Sequence, residues 1–425
     1  MSSDYTAMWQ ELGLDLEAHD ALLEALSSSY QDIFLSQKNR PQGMQYLDFV
    51  MSEVHGLRIK ELLDARRAGR PVVGSFCVFV PEEIILAADG IHVGLCAGAE
   101  FGTEEVEKIL PRNTCALIKS AFGFKLSRVC PFIEAADMVV GENTCDGKKK
   151  SYEQLGELLP NLYVMDLPQQ KTAAGKRLLR EEYVRFLHAM EELSGITIDA
   201  KRLRRGVELV NAKRAALARL NRLRSSRPSP ISGLDALLIN QVSFYDDPVR
   251  FTGQINSLCD ELEARIARQE GVVAGTTPRV LLSGCPMAVP NWKIPMLIER
   301  SGAVVVGEES CVGERGSRNL TDASGATVDA LLDAIVERYF AIDCAVFTPN
   351  REREQHVVEM VQAYQADGVI HYGLQFCQPY LIESMPMEQR LTDQGITTLR
   401  IETDYSMEDL GQLQTRIEAF VEMLG

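Results

Sequence analysis

Residues 72–96 read VVGSFCVFVPEEIILAADGIHVGLC. The apolar run VVGSFCV (72–78) has strand character. Pro81 and two glutamates follow it, the pattern of a helix start. A second strand-like run, IHVGLC (91–96), comes next and ends in cysteine. Strand, helix, strand predicts a parallel sheet with right-handed crossovers.

The pattern returns in the other half of the chain. RVLLSGCPMAVPNW around Cys285 matches PVVGSFCVFVPEE around Cys77, each an apolar run that ends in Cys with a proline close behind. GAVVVGEESCVG around Cys311 matches GIHVGLCAG around Cys96, and both end in Cys-x-Gly. VIHYGLQFC around Cys377 matches MVVGENTC around Cys145, each with Gly, three residues, then Cys. The repeat predicts two related α/β lobes, Rossmann- or flavodoxin-like, with thiols at corresponding strand ends. Ligands of parallel sheets sit beyond the C-terminal ends of the strands. The six thiols should therefore face a crevice between the lobes, a natural place for a metal cluster.

Working outward, the chain divides into an N-terminal helical segment (1–70), a first α/β lobe (71–169), a helical segment (170–277) and a second α/β lobe (278–425). Further strands are expected at 137–142, 162–166, 279–284, 303–308, 344–349, 368–372 and 397–402, with helices at 114–122 and from about Met407 to Leu424. Between Lys201 and Arg227 lie ten Lys or Arg and one Glu. A solvated helix face explains this stretch; a docking surface for an acidic partner is the other reading.

The 425 residues suffice for two or three domains with a large core. A net charge of −16 argues against nucleic acid and against an anionic membrane surface as partners. No apolar stretch of transmembrane length occurs. The acidic start MSSDYTAMWQELGLDLEAHD is not a signal peptide, so a cytoplasmic location is expected, where ten cysteines stay reduced.

CxxC, HExxH, Walker A and GxSxG motifs are absent, so the chain is expected to bind no ATP itself. A metal site would have to be assembled by the fold from distant segments. Glycine adjoins most of the paired thiols (Gly74, Gly98, Gly141, Gly284, Gly313, Gly373), which lets backbone N–H groups approach an ion or sulfide. Cys145 precedes Asp-Gly-Lys-Lys-Lys, and a helix starting at Gly147 would favour its thiolate. Lys148, Lys149 and Lys150 read as a solvated helix face or as a docking site. His371, at a strand end near a thiol, is a candidate proton donor, or else a hydrogen-bonded structural histidine. Glu82 is a candidate for acid–base work, with helix capping as the competing role. Cys259 reads as core, and Cys130 and Cys344 as structural thiols.

LPRNTCALIKSAFG around Cys115, VVGENTCDGKKKSYEQL around Cys145, HYGLQFC around Cys377 and the terminal IETDYSMEDLGQLQTRIEAFVEML resemble the 2-hydroxyacyl-CoA dehydratase family. The resemblance implies a [4Fe-4S] cluster held by three cysteines between two α/β lobes, here Cys115, Cys145 and Cys377. It implies electrons from a separate ATP-hydrolysing iron–sulfur activator, and radical dehydration of a 2-hydroxyacyl-CoA. The further thiols in GSFCVFVPEE, at Cys96, in RVCP (Cys130), in SGCP (Cys285) and at Cys311 are similar to those of the double-cubane cluster proteins of the same superfamily. That likeness implies a homodimer with an [8Fe-9S] cluster in each subunit, reducing a small molecule. Six ligands are then expected among Cys77, Cys96, Cys115, Cys145, Cys285, Cys311 and Cys377, with Cys311 the easiest to drop. Three functions follow as alternatives: double-cubane reductase, single-cubane dehydratase subunit, and non-catalytic electron-relay protein.

Overall fold

The computed structural model describes residues 4–425. Eight strands form two four-stranded sheets. β1 (Val72–Ser75), β2 (Ile91–Gly94), β3 (Met138–Glu142) and β4 (Leu162–Met165) lie in the order β2-β1-β3-β4. β5 (Arg279–Gly284), β6 (Val304–Glu309), β7 (Gly368–Leu374) and β8 (Thr397–Thr403) lie in the order β6-β5-β7-β8. Every pairing is parallel. The two lobes thus share one topology, as the internal repeat predicts. In each sheet the two central strands are almost wholly buried, which is why they read as continuous apolar runs.

Residues 344–349 are not the expected strand. β5 is already flanked by β6 and β7, so the apolar run CAVFTP has no edge to join there. It forms a turn instead, closed by Phe347 N–H donating to the Cys344 carbonyl at 3.1 Å, and Thr348 N–H bonds across to Gln169 O at 2.8 Å.

Helices fill 173–194, 200–223, 233–242 and 248–267, and the N-terminal residues form further helices up to Arg67. All four of these middle helices carry N-cap side chains, Thr172, Asp199, Ser232 and Asp247, that accept from the first-turn N–H groups. The helix Ala200–Leu223 corrects the picture of a solvated basic face. Lys213, Arg214 and Arg224, the last just beyond its end, are buried. They bond Glu82 at 2.5 Å, Glu83 at 2.7 Å and Glu308 at 2.6 Å. This segment therefore ties both lobes together. Lys201, Arg202, Arg205 and Arg222 stay exposed, and Arg204 and Arg219 are half-buried. No described helix is long and apolar enough to cross a membrane.

Candidate metal centre

The strand ends of both sheets open onto one cavity. Eight cysteines line it: Cys77, Cys96, Cys115, Cys145, Cys285, Cys311, Cys344 and Cys377. All seven sequence candidates are among them. The matched pairs take matching places. Cys77 and Cys285 follow the central strands β1 and β5, Cys96 and Cys311 each lie two residues past β2 and β6, and Cys145 and Cys377 each lie three past β3 and β7.

Cys344 is the addition. It sits in the connection from β6 to β7, as Cys115 sits in that from β2 to β3, so the eight thiols make four pairs. The signal was present in the spacing Cys285-x4-Pro290, which Cys344-x4-Pro349 repeats.

The thiols fall into two groups. Cys377 interacts electrostatically with both Cys115 and Cys285, and Cys145 feels the charge of Cys115. Cys311 interacts in the same way with Cys344, and Cys77 with both. Cys96 instead donates to the Phe76 carbonyl at 2.9 Å, and burial pushes its thiol up to about 11. Among the described residues no three Cys, His, Asp or Glu side chains close on a single ion. Thiols arranged in two spaced groups suit a centre larger than one ion.

Backbone N–H groups are aimed at these sulfurs. Cys115, Cys145 and Cys377 are the N-cap residues of the helices Ala116–Leu126, Asp146–Leu158 and Gln378–Thr392. Lys148 N–H donates to Cys145 Sγ at 3.5 Å and Leu374 N–H to Cys285 Sγ at 3.3 Å. Helix N-termini and bare N–H groups stabilise thiolates and the sulfides of a cluster. Burial works the other way in the protein alone. It raises Cys145 despite the helix start, and it raises Cys77, with Glu142 adding to the effect. Cys115 and Cys344 lie well above the ordinary thiol value because each hydrogen-bonds a neighbouring thiol and is buried. The helix start at Cys145 thus lowers the cost of the anion without making it the favoured form. Cations at the centre of the ring would supply the missing balance, and the donor set fits an iron–sulfur cluster.

Two charged residues line the cavity, and they pair with each other: Lys148 with Glu142. Lys148 is therefore no solvated lysine. Its side chain is 14 % exposed, whereas Lys149 and Lys150 point to solvent. Burial disfavours its ammonium, but Glu142 outweighs this and keeps Lys148 charged. Behind the second thiol group, buried Arg315 reaches Cys311 Sγ at 3.6 Å and also bonds Tyr380 and Glu309. The hydrogen bond from Cys344 holds Cys311 below the ordinary thiol value, and Arg315 helps against the opposing effect of burial.

His371 and Glu82 lie outside the cavity lining. His371 Nε2 contacts the Tyr380 carbonyl at 3.2 Å, and burial holds its imidazole down at about 3. Glu82 pairs with Lys213 in the wall behind β1. Cys130 borders a separate pocket beside His55, and Cys259 is buried in the helix Pro248–Ala267.

The sequence profile of the 2-hydroxyglutaryl-CoA dehydratase D-component matches residues 77–424. The "Putative dehydratase subunit YjiM" of Escherichia coli (strain K12) is 39% identical over 380 residues, 88% of this chain and 96% of the relative. The (R)-phenyllactyl-CoA dehydratase beta subunit of Clostridium sporogenes is 25% identical over 366 residues, 84% of this chain and 93% of the relative. A benzoyl-CoA reductase subunit of Thauera aromatica is 23% identical over 350 residues, 81% of this chain and 88% of the relative. Dehydratase and reductase subunits thus share one architecture, and catalysis is the common property of these relatives. A profile match over most of the chain, together with near full-length similarity to these subunits, establishes that the chain belongs to the 2-hydroxyglutaryl-CoA dehydratase D-component family.

Proposed function

We propose that this chain is the cluster-bearing component of an ATP-coupled iron–sulfur reductase. It holds a double-cubane [8Fe-9S] cluster, receives low-potential electrons from a separate ATP-hydrolysing iron–sulfur reductase, and reduces a small molecule. The observation that carries this reading is the ring of eight thiols around one cavity. Two bridged cubanes need about six thiolates, three each. One group supplies three of Cys115, Cys145, Cys285 and Cys377. The other supplies Cys77, Cys311 and Cys344. When bound, the cluster supplies low-potential electrons at the cavity.

The protein's part is positioning and charge. Helix-start N–H groups hold the thiolates, and Arg315 adds positive charge beside Cys311. The self-neutralised Lys148–Glu142 pair leaves no unpaired charge in the lining, which suits a small uncharged substrate. A homodimer is expected, since closed two-fold symmetry is the commonest soluble arrangement.

The names of the relatives favour a second reading, a [4Fe-4S] dehydratase subunit using Cys115, Cys145 and Cys377. Anaerobic iron and sulfide analysis separates the two. About eight irons per chain are expected, against about four for a single cubane. Zinc without sulfide would refute both. Paired with its reductase, the protein should reduce hydrazine only with ATP. Dehydration of a 2-hydroxyacyl-CoA by the homomeric protein would overturn the first reading.

A further inference from the structure

A second cavity of about 500 Å³ lies behind the cluster cavity, with Val78, Phe244 and Cys311 in the wall they share. One chain of side chains crosses that wall. Ser75, the last residue of β1, lines the cluster cavity. Its Oγ is 2.7 Å from Nε2 of His92 on β2. His92 Nδ1 lies 3.8 Å from Glu82 Oε2, and His92 and Glu82 both line the second cavity. Lys213 bonds the same carboxylate oxygen at 2.5 Å and also lines the second cavity.

We propose that Ser75, His92 and Glu82 form a proton relay that carries protons from the second cavity to substrate in the cluster cavity. The proposal rests on the reductase reading above. Reductive cleavage of hydrazine breaks the N–N bond, forms one N–H bond on each nitrogen and yields two molecules of ammonia. It consumes two electrons, which the bound cluster would supply, and two protons, which must enter a thiol-lined, largely apolar cavity. In each of two passes Ser75 Oγ gives its proton to a substrate nitrogen as protonated His92 gives Nε2–H to Oγ. The Glu82 carboxylate compensates the imidazolium. The neutral ring, left with its proton on Nδ1, then turns over, takes a proton from solvent in the second cavity on its freed nitrogen, and turns back.

Other acidic groups on the cavity wall are engaged by protein partners, and none of them adjoins a histidine. Lys148 is locked onto Glu142. Tyr245 Oη donates to the Cys96 carbonyl at 3.3 Å, and Tyr380 Oη accepts from Arg315 and lies 3.8 Å from Cys344 Sγ. A purely structural Glu82 would be satisfied by Lys213 alone, yet His92 is placed between it and the hydroxyl of a residue that lines the cavity.

The test uses the holoprotein with its ATP-dependent reductase, comparing wild type, Ser75→Ala and His92→Gln. Iron content and the electron paramagnetic resonance signal of the ATP-reduced protein should match wild type in both variants. Reoxidation by hydrazine, followed by stopped flow, should slow about 100-fold, the ordinary contribution of general acid catalysis. The solvent deuterium isotope effect of wild type should change, and imidazole should partly restore His92→Gly. Wild-type reoxidation in both variants would overturn the relay. So would loss of iron from both, which would make the three residues a structural strut. Iron missing from wild type would instead refute the reductase reading on which the relay rests.

Discussion

Cys344→Ala is expected to lose at least half of the iron, falling from about eight to about four atoms per chain or fewer. Its thiol group holds Cys77, Cys311 and Cys344, and the eighth thiol, Cys96, is engaged with the Phe76 carbonyl. The other group has four members, so Cys285→Ala, which leaves Cys115, Cys145 and Cys377, should lose less. Replacing a buried cysteine by alanine costs about 1 kcal/mol of packing, so the variant should fold, as circular dichroism will show. Cys259→Ala, outside the cavity lining, should retain all its iron. Cys344→Ala that keeps about eight irons would remove the second thiol group from the ligand set.

The contrast between Cys344 and its neighbours marks how far the sequence could be read. Cys77, Cys96, Cys145 and their partners adjoin strands, where periodicity gives the strand and the strand end gives the place of the thiol. The repeat makes the two lobes alike, and their sheets share one strand order. Cys344 lies in a connection, where no period marks position, and its apolar neighbours imitate a strand. It becomes legible only when connections are matched as well as strand ends, since Cys115 and Cys344 occupy the same one in the two lobes. Lys148 was hidden differently. Three consecutive lysines look alike in sequence, but a helix turns by about 100° per residue. Only the first of them faces inward, on the side of its N-cap Cys145. The relay was out of reach for a third reason. Ser75 and His92 meet across neighbouring strands, and Glu82 takes its partner Lys213 from 131 residues away. Pairings of that span are fixed by the packed structure, and no local pattern announces them.

The buried pair next to that relay gives the largest expected change in stability. Glu83 and Arg214 side chains are 0% and 5% exposed and bond at 2.7 Å. Tyr339 Oη donates to Glu83 at 2.8 Å, and Thr321 Oγ1 to it at 3.2 Å. The helices Glu82–Ala87, Ala200–Leu223 and Val328–Phe340 meet at this point, so one carboxylate joins the first lobe, the middle segment and the second lobe. Glu83→Ala leaves a buried guanidinium without its counter-charge and should destabilise the protein by about 3–5 kcal/mol in denaturant titrations near neutral pH. The pair Glu83→Leu with Arg214→Met should recover most of that loss, because an apolar pair of similar volume avoids desolvating two charges. Burial opposes ionisation of Glu83, but Arg214 and Arg338 outweigh it and hold the carboxyl below its ordinary value. A depressed carboxyl contributes stability that is complete above its unfolded value, about 4.3, and is lost as pH falls through the folded one. The gap between wild type and Glu83→Ala should therefore narrow on acidification below about pH 4. If the basic stretch served only as an outer docking surface, Glu83→Ala would change stability by less than about 1 kcal/mol, as exposed ion pairs do. A loss of several kcal/mol that the double variant restores would show that this helix braces the two lobes, and with them the wall between the two cavities.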